Sequence, residues 1–430
     1  MLSLRHTLRH TLIAMAATAL TASAADFDRH FCDSTLRLDY IFAGDASHQG
    51  VYLASSSKSA GWAGRRTRLD HMPLTGNGSV TVTDPATGDT LYTTTFSSLF
   101  HEWLSTPEAL TTPKAMSNVF LVPLPKDSAR ITISLLDSRH RQMASMSHLY
   151  RPDDELVGRP DATPLPHRYI HRGGDTDKAI DVAILAEGYT AEQTDSFYTH
   201  AAQAVEAILA HEPFRSMPER FNFVAVASPS ADEGVSVPRL SDWRSTAFSS
   251  HFSTFYSDRY LTTSALPAVH DALRGIPYEH IIILANTPEY GGGGIYNSYT
   301  LTAARHPLMR PVVVHEFGHS FGGLADEYFY EQDVMSDTYP LDVEPWEPNI
   351  TTLVDFPSKW QSLIPDSVPQ PTPVADAHRY PIGLYEGGGY SFKGVYRPAD
   401  QCRMRTNAHP SFCPACTDAM RRLILFYTEP

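Results

Sequence analysis

The stretch His315-Glu316-Phe317-Gly318-His319-Ser320-Phe321-Gly322-Gly323-Leu324-Ala325-Asp326 decides how this chain is read. Two histidines four apart on a helix leave the same face one turn apart, so both imidazoles can reach one ion. Glu316 follows the first of them and stands beside the ion, where a carboxylate can take a proton from a metal-activated water. Gly322-Gly323 ends the helix and turns the chain back. That turn is expected to deliver Asp326 as a third ligand and to leave a fourth position for water, which is the arrangement of a catalytic zinc. The alternative is an amphipathic core helix with two satisfied histidines. The buried apolar lead-in Pro311-Val312-Val313-Val314 and the well-placed glycine stop argue against it.

Upstream lie three apolar runs, at residues 179–185, 221–227 and 281–284, each long enough for a buried strand. Between the first two, residues 190–211 have helical periodicity and open with the capping signature Thr190-Ala191-Glu192-Gln193. Strands alternating with helices predict a three-layer α/β domain over residues 179–430, with the metal helix near 309–321. The glycine run 291–294 feeds a short segment before that helix and lacks the lysine and spacing of a phosphate loop. It is either an edge strand that pairs with a substrate backbone or an ordinary loop. Residues 331–400 are rich in proline and poorly periodic, and either wall a cleft or serve only as packing.

Residues 25–152 read as an antiparallel β-sandwich, with alternation at 36–40, 79–83 and 130–135 and a hairpin over 79–95 that turns at Asp84-Pro85. Trp62, Phe96, Phe100 and Trp103 are expected in its core rather than on a ligand platform. Residues 153–178 read as a linker. Residues 1–24, with Arg5 and Arg9 before an apolar run and Ala22-Ser23-Ala24 after it, read as a signal peptide cleaved near Ala24/Ala25. The protein is therefore expected to be exported, with no membrane span. Its net charge of −14 over 430 residues argues against nucleic acid as a partner.

Of the four cysteines, Cys32 stands alone, while Cys402, Cys413 and Cys416 cluster. Cys413-Pro414-Ala415-Cys416 is a redox or metal motif in outline, but no second such pair completes a four-thiolate site. The expectation for an exported chain is a disulfide from Cys402 to one of the pair. Acidic loops such as Asp232-Glu233 admit calcium, yet no twelve-residue calcium loop is present. There is no G-x-S-x-G nucleophile elbow.

At these residues the chain resembles the IgA-peptidase family of secreted bacterial zinc metallopeptidases. The likeness is carried by residues 27–40, 61–65 and 96–103 in the first half, and by 185–190, 257–261, the metal helix and Cys402-Arg403-Met404-Arg405 in the second. The resemblance implies a zinc-dependent endopeptidase with a metzincin-like catalytic domain acting on protein or glycoprotein substrates, immunoglobulin A among them. It puts the ligands on His315, His319 and Asp326 and the base on Glu316, with Glu327 the rival third ligand. Met404 becomes the methionine turn beneath the metal, as opposed to an ordinary core methionine. Tyr328, Tyr390 and His409 are candidate oxyanion donors, and the sequence selects none of them. The competing function is a secreted glycoprotein-binding protein with a structural zinc site. Such a site would be closed by a fourth protein ligand.

Overall fold

The structure, a computed structural model, describes residues 27–161, 163–329 and 339–429. The expected signal peptide and its expected cleavage near Ala24/Ala25 lie outside the described residues. The fold is mixed α and β, an N-terminal β part followed by a part built of one large sheet and its helices.

In the N-terminal part every strand pairing is antiparallel. Phe31–Gly44 is flanked by Gln49–Ala60 and Lys114–Pro125 in a three-stranded sheet. Gly78–Thr83, Thr90–Phe96, Ala129–Leu136 and Gln142–Tyr150 form a four-stranded one. Alternation decides which side chains go inward: Leu36, Leu38, Tyr40 and Phe42 from the first sheet share a core with Val80, Val82, Ile131 and Ile133 from the second. Trp62, Phe96, Phe100 and Trp103 are all buried in that core.

The second part is built on a six-stranded sheet in the order Gly292–Ile295, Tyr299–Ala303, His280–Ala285, Ile180–Glu187, Phe221–Val226, His167–Arg172. The inner four strands are parallel and the two edges antiparallel. The inner strands Ile180–Glu187, Phe221–Val226 and His280–Ala285 are buried along their whole length, as continuous apolar runs covered on both faces should be. One face is covered by the helices Thr194–Leu209, Met309–Ser320 and Pro414–Thr428. The other is covered by the seven-residue helix Leu266–Ala272, by loops, and by Val119 of the N-terminal part.

Two expectations change here. Residues 167–172, read as part of a linker, form an outer strand of the six-stranded sheet. Their polar sequence His-Arg-Tyr-Ile-His-Arg suits an edge with one side open and hides the strand from a periodicity test. The disulfide expected from Cys402 is absent: all four cysteines are free, and the sulfurs of Cys402 and Cys416 are 3.8 Å apart. No helix among the described residues is long and apolar enough to cross a membrane.

His280 opens the central strand. It is buried, its Nε2 has no hydrogen-bond partner, and its ring lies 5.0 Å from Phe321 and 5.8 Å from Tyr427. Burial disfavours the imidazolium and pushes its pKa down to about 4. As pH falls, the unfolded chain binds this proton first. The stability that His280 contributes is therefore complete above about pH 6.5 and is lost below it, at about 1.4 kcal/mol per pH unit, until the folded pKa is reached. His280→Phe, which keeps the ring packing, should show a shallower fall in thermal midpoint between pH 7 and pH 5. Equal slopes for the two proteins would contradict this.

Candidate metal centre

The helix Met309–Ser320 packs its apolar side, Val313, Val314 and Phe317, into the core under the sheet. This leaves His315 and His319 on the opposite side, mostly buried with side-chain exposures of 12% and 17%. Their ring centroids are 4.7 Å apart and their Nε2 atoms 3.1 Å apart. The helix stops at Gly323, which takes φ +59, and the Leu324 amide turns back to the Gly318 carbonyl. That turn points the Leu324 carbonyl at His319 Nδ1, 2.6 Å away, while His315 Nδ1 bonds the Arg403 carbonyl at 3.0 Å. Each ring thus donates from Nδ1 to backbone, which turns its Nε2 toward the other ring.

Asp326 Oδ1 completes a triangle, 3.1 Å from His315 Nε2 and 3.4 Å from His319 Nε2. Ligand atoms about 2.0–2.1 Å from a tetrahedral zinc stand roughly 3.3 Å from one another, so the triangle has the size such an ion requires. Asp326 Oδ1 is buried and has no hydrogen-bond partner, whereas Oδ2 accepts from the Tyr390 hydroxyl at 2.5 Å. An unpartnered carboxylate oxygen facing two imidazole lone pairs is a donor set that fits a divalent cation. The Glu316 carboxylate lies with both imidazoles in one cluster, one of its oxygens within 4.8 Å of a nitrogen of each ring.

The electrostatics follow from this crowding. Burial pulls His319 down, but the Asp326 carboxylate outweighs it and brings the ring up to about 9. His315 is also raised, the facing Asp326 carboxylate opposing the effect of burial. Burial lifts Glu316 above the ordinary carboxyl range while the two histidines pull against it. Asp326 is held well below the usual carboxylate range by the same two rings, against burial. Without a cation the four groups share protons among themselves. A bound cation would displace those protons from the ligands.

Of the remaining residues singled out from sequence, Met404 is fully buried in the turn closed by Arg405 N–H to the Cys402 carbonyl. Its sulfur sits where a Cβ on Gly318 would come within 2.7 Å, directly under the helix between the two histidines. Tyr390 is at the site through Asp326, and Tyr328 stacks edge-on to it at 5.2 Å. His409 is elsewhere: its Nδ1 bonds the Ser411 carbonyl, and its ring lines a cavity of about 990 Å³ with none of the four site residues in its wall. Glu327 turns away from the histidines toward Cys416 and Asn349, so Asp326 is the carboxylate they meet.

The glycine run forms the edge strand Gly292–Ile295 beside the helix. A Cβ at Gly294 would lie 2.3 Å from the Glu316 carbonyl oxygen and 2.9 Å from His319 Cβ, so only glycine lets strand and helix approach. Part of this edge is already paired, since Gly292 exchanges backbone hydrogen bonds with Arg259 and Leu261 at 3.4 Å. Gly294→Ala should force the helix or the strand to move, costing about 1–3 kcal/mol of stability. Thermal unfolding would read the loss, and an unchanged midpoint would contradict the packing.

Two residues at the site, Glu102 and Asn349, were not read from sequence. Glu102, from the short helix Leu99–Leu104 of the N-terminal part, accepts a hydrogen bond from the Tyr260 hydroxyl and lies within electrostatic reach of His319, Glu316 and Asp326. Burial pushes it up to about 7. It is carried there by backbone bonds from Ser97 to Tyr296 and by Asn297 to the Thr95 carbonyl. Asn349, within the proline-rich region, clamps Ala325 by bonding both its amide and its carbonyl, which fixes the segment bearing Asp326.

Residues 169–381 and 374–424 match the family model described as IgA Peptidase M64, and residues 26–147 match that described as Peptidase M64 N-terminus. No curated protein matches the chain.

Proposed function

Because the chain belongs to the IgA Peptidase M64 family, and is thereby a metallopeptidase, we propose that it is a secreted, zinc-dependent endopeptidase. The observation that carries this reading is the triangle of His315 Nε2, His319 Nε2 and Asp326 Oδ1 with the Glu316 carboxylate beside it. In this reading those three atoms hold one zinc, within a metzincin-like catalytic domain that follows a β-sandwich over 25–152 and whose sheet begins with the strand His167–Arg172. When bound, zinc supplies an acidified water and a polarised scissile carbonyl.

The chain's own residues do the rest. Glu316 accepts a proton from the attacking water at its carboxylate and returns it to the departing amide nitrogen. Tyr390 holds the Asp326 carboxylate through Oδ2, which keeps Oδ1 turned to the histidines. Met404 is the floor that stops the helix shifting under the two rings. A substrate strand would lie along the Gly292–Ile295 edge from Gly294 onward, since Gly292 is taken. Protein or glycoprotein substrates, immunoglobulin A among them, suit such a backbone-reading edge.

A quenched-peptide library tests the reading directly. Cleavage that is lost with chelator and restored by zinc is expected. Metal-independent binding of glycoproteins without any cleavage would instead make the protein a binder with a non-catalytic site.

A further inference from the structure

Beneath the first cluster lies a second one that the peptidase reading does not use. Glu327, Cys402, Cys413 and Cys416 place one potential ligand atom each within 4.8 Å of the others, and all four residues are buried. We propose that these residues form a second, structural metal site of three thiolates and one carboxylate, with zinc as the ion its donors select.

The distances suit this. Cys402 Sγ and Cys416 Sγ are 3.8 Å apart, and sulfurs about 2.3 Å from a tetrahedral zinc are separated by roughly 3.8 Å. Glu327 Oε1 is 3.0 Å from Cys416 Sγ and 4.0 Å from Cys413 Sγ, and it also accepts from Asn349. Glu327 Oε2 is buried with no hydrogen-bond partner, which leaves the second oxygen of the same carboxylate unsatisfied. Backbone amides already point at the sulfurs: Met404 and Cys413 N–H at Cys402, and Cys416 N–H at Cys413. Amides directed at sulfur stabilise thiolate over thiol and orient it as a ligand. Three thiolates and a carboxylate exceed the charge of one divalent ion. The buried guanidiniums of Arg397 and Arg403 lie within electrostatic reach of Glu327 and Cys402 to offset the excess.

A redox role for the Cys413–Cys416 pair fits less well. A dithiol that exchanges with partners needs an accessible sulfur, and these sit at 3% and 0% exposure. A sealed set of four protein ligands is the mark of a structural site, in contrast to the open triangle next to it.

The position gives the site its purpose. Glu327 directly follows Asp326, and its amide bonds the Met404 carbonyl. Cys402 begins the turn that holds Met404 and presents the Arg403 carbonyl to His315. Cys413 caps the C-terminal helix and Cys416 lies in its first turn. An ion here would join three distant segments into the floor of the upper site. The proposal concerns binding alone and stands whether or not the upper site cleaves peptides.

The test is metal counting on the full chain in which His315→Ala and His319→Ala have removed the upper site. One zinc per chain should remain, and its X-ray absorption should show a sulfur shell near about 2.3 Å. Wild-type protein should carry one zinc more and the same sulfur shell at half the average count per zinc, which reads the site even if the variant folds poorly. Cys416→Ser should lower the wild-type count. A zinc-loaded protein whose metal has only nitrogen and oxygen neighbours would overturn the proposal. So would alkylation of denatured, chelated, unreduced protein that leaves two of Cys402, Cys413 and Cys416 blocked as a disulfide.

Discussion

Glu316→Gln is expected to keep its metal and lose about 10²–10⁴-fold in kcat, with little change in KM. Glutamine has the size of glutamate but cannot accept a proton, so the variant isolates the proton transfer from packing. The loss corresponds to about 3–5 kcal/mol of transition-state stabilisation, at roughly 1.4 kcal/mol per decade. Retention of the metal is expected because the triangle of His315, His319 and Asp326 does not include Glu316. Steady-state kinetics beside elemental analysis reads both halves. Retention of more than a tenth of wild-type turnover would remove Glu316 from its assigned role.

His315→Ala acts on the other half of the machinery. It deletes one corner of the triangle, leaves Asp326 Oδ1 buried against a single imidazole, and frees the Arg403 carbonyl that fixed the ring. One zinc per chain should be lost at any concentration near the wild-type dissociation constant, and activity with it. Asp326→Ala should do the same, because Glu327 points the opposite way and cannot substitute. A full metal complement in either variant, measured by elemental analysis after gel filtration, would mean the ion is held elsewhere.

Much of this site was legible because it is local. Two histidines and a glutamate on one helix need only the helical repeat to be brought together, and the glycine stop that delivers Asp326 follows within a turn. The inner strands were equally plain, since burial on both faces demands unbroken apolar runs. What could not be read depends on distance in sequence or on one-sided exposure. The strand His167–Arg172 lies at an edge, where polar residues are tolerated, and so it resembled a linker. Glu102 and Asn349 reach the site from 214 and 33 residues away from Glu316, through packing that no spacing rule records. The cysteines were the instructive failure. Their spacing and an exported chain suggested a disulfide, because nothing in sequence shows that Glu327, adjacent to a ligand of the first site, turns to meet them.

The central claim is that one ion sits among two imidazoles and one carboxylate with a corner left for solvent. An anomalous diffraction map from crystals of the zinc-loaded Glu316→Gln protein tests it most directly. A zinc peak bonded to His315 Nε2, His319 Nε2 and Asp326 Oδ1, with only solvent at the remaining position, is the predicted result. A fourth side chain in that position, or an Asp326 carboxylate rotated off the ion, would contradict it.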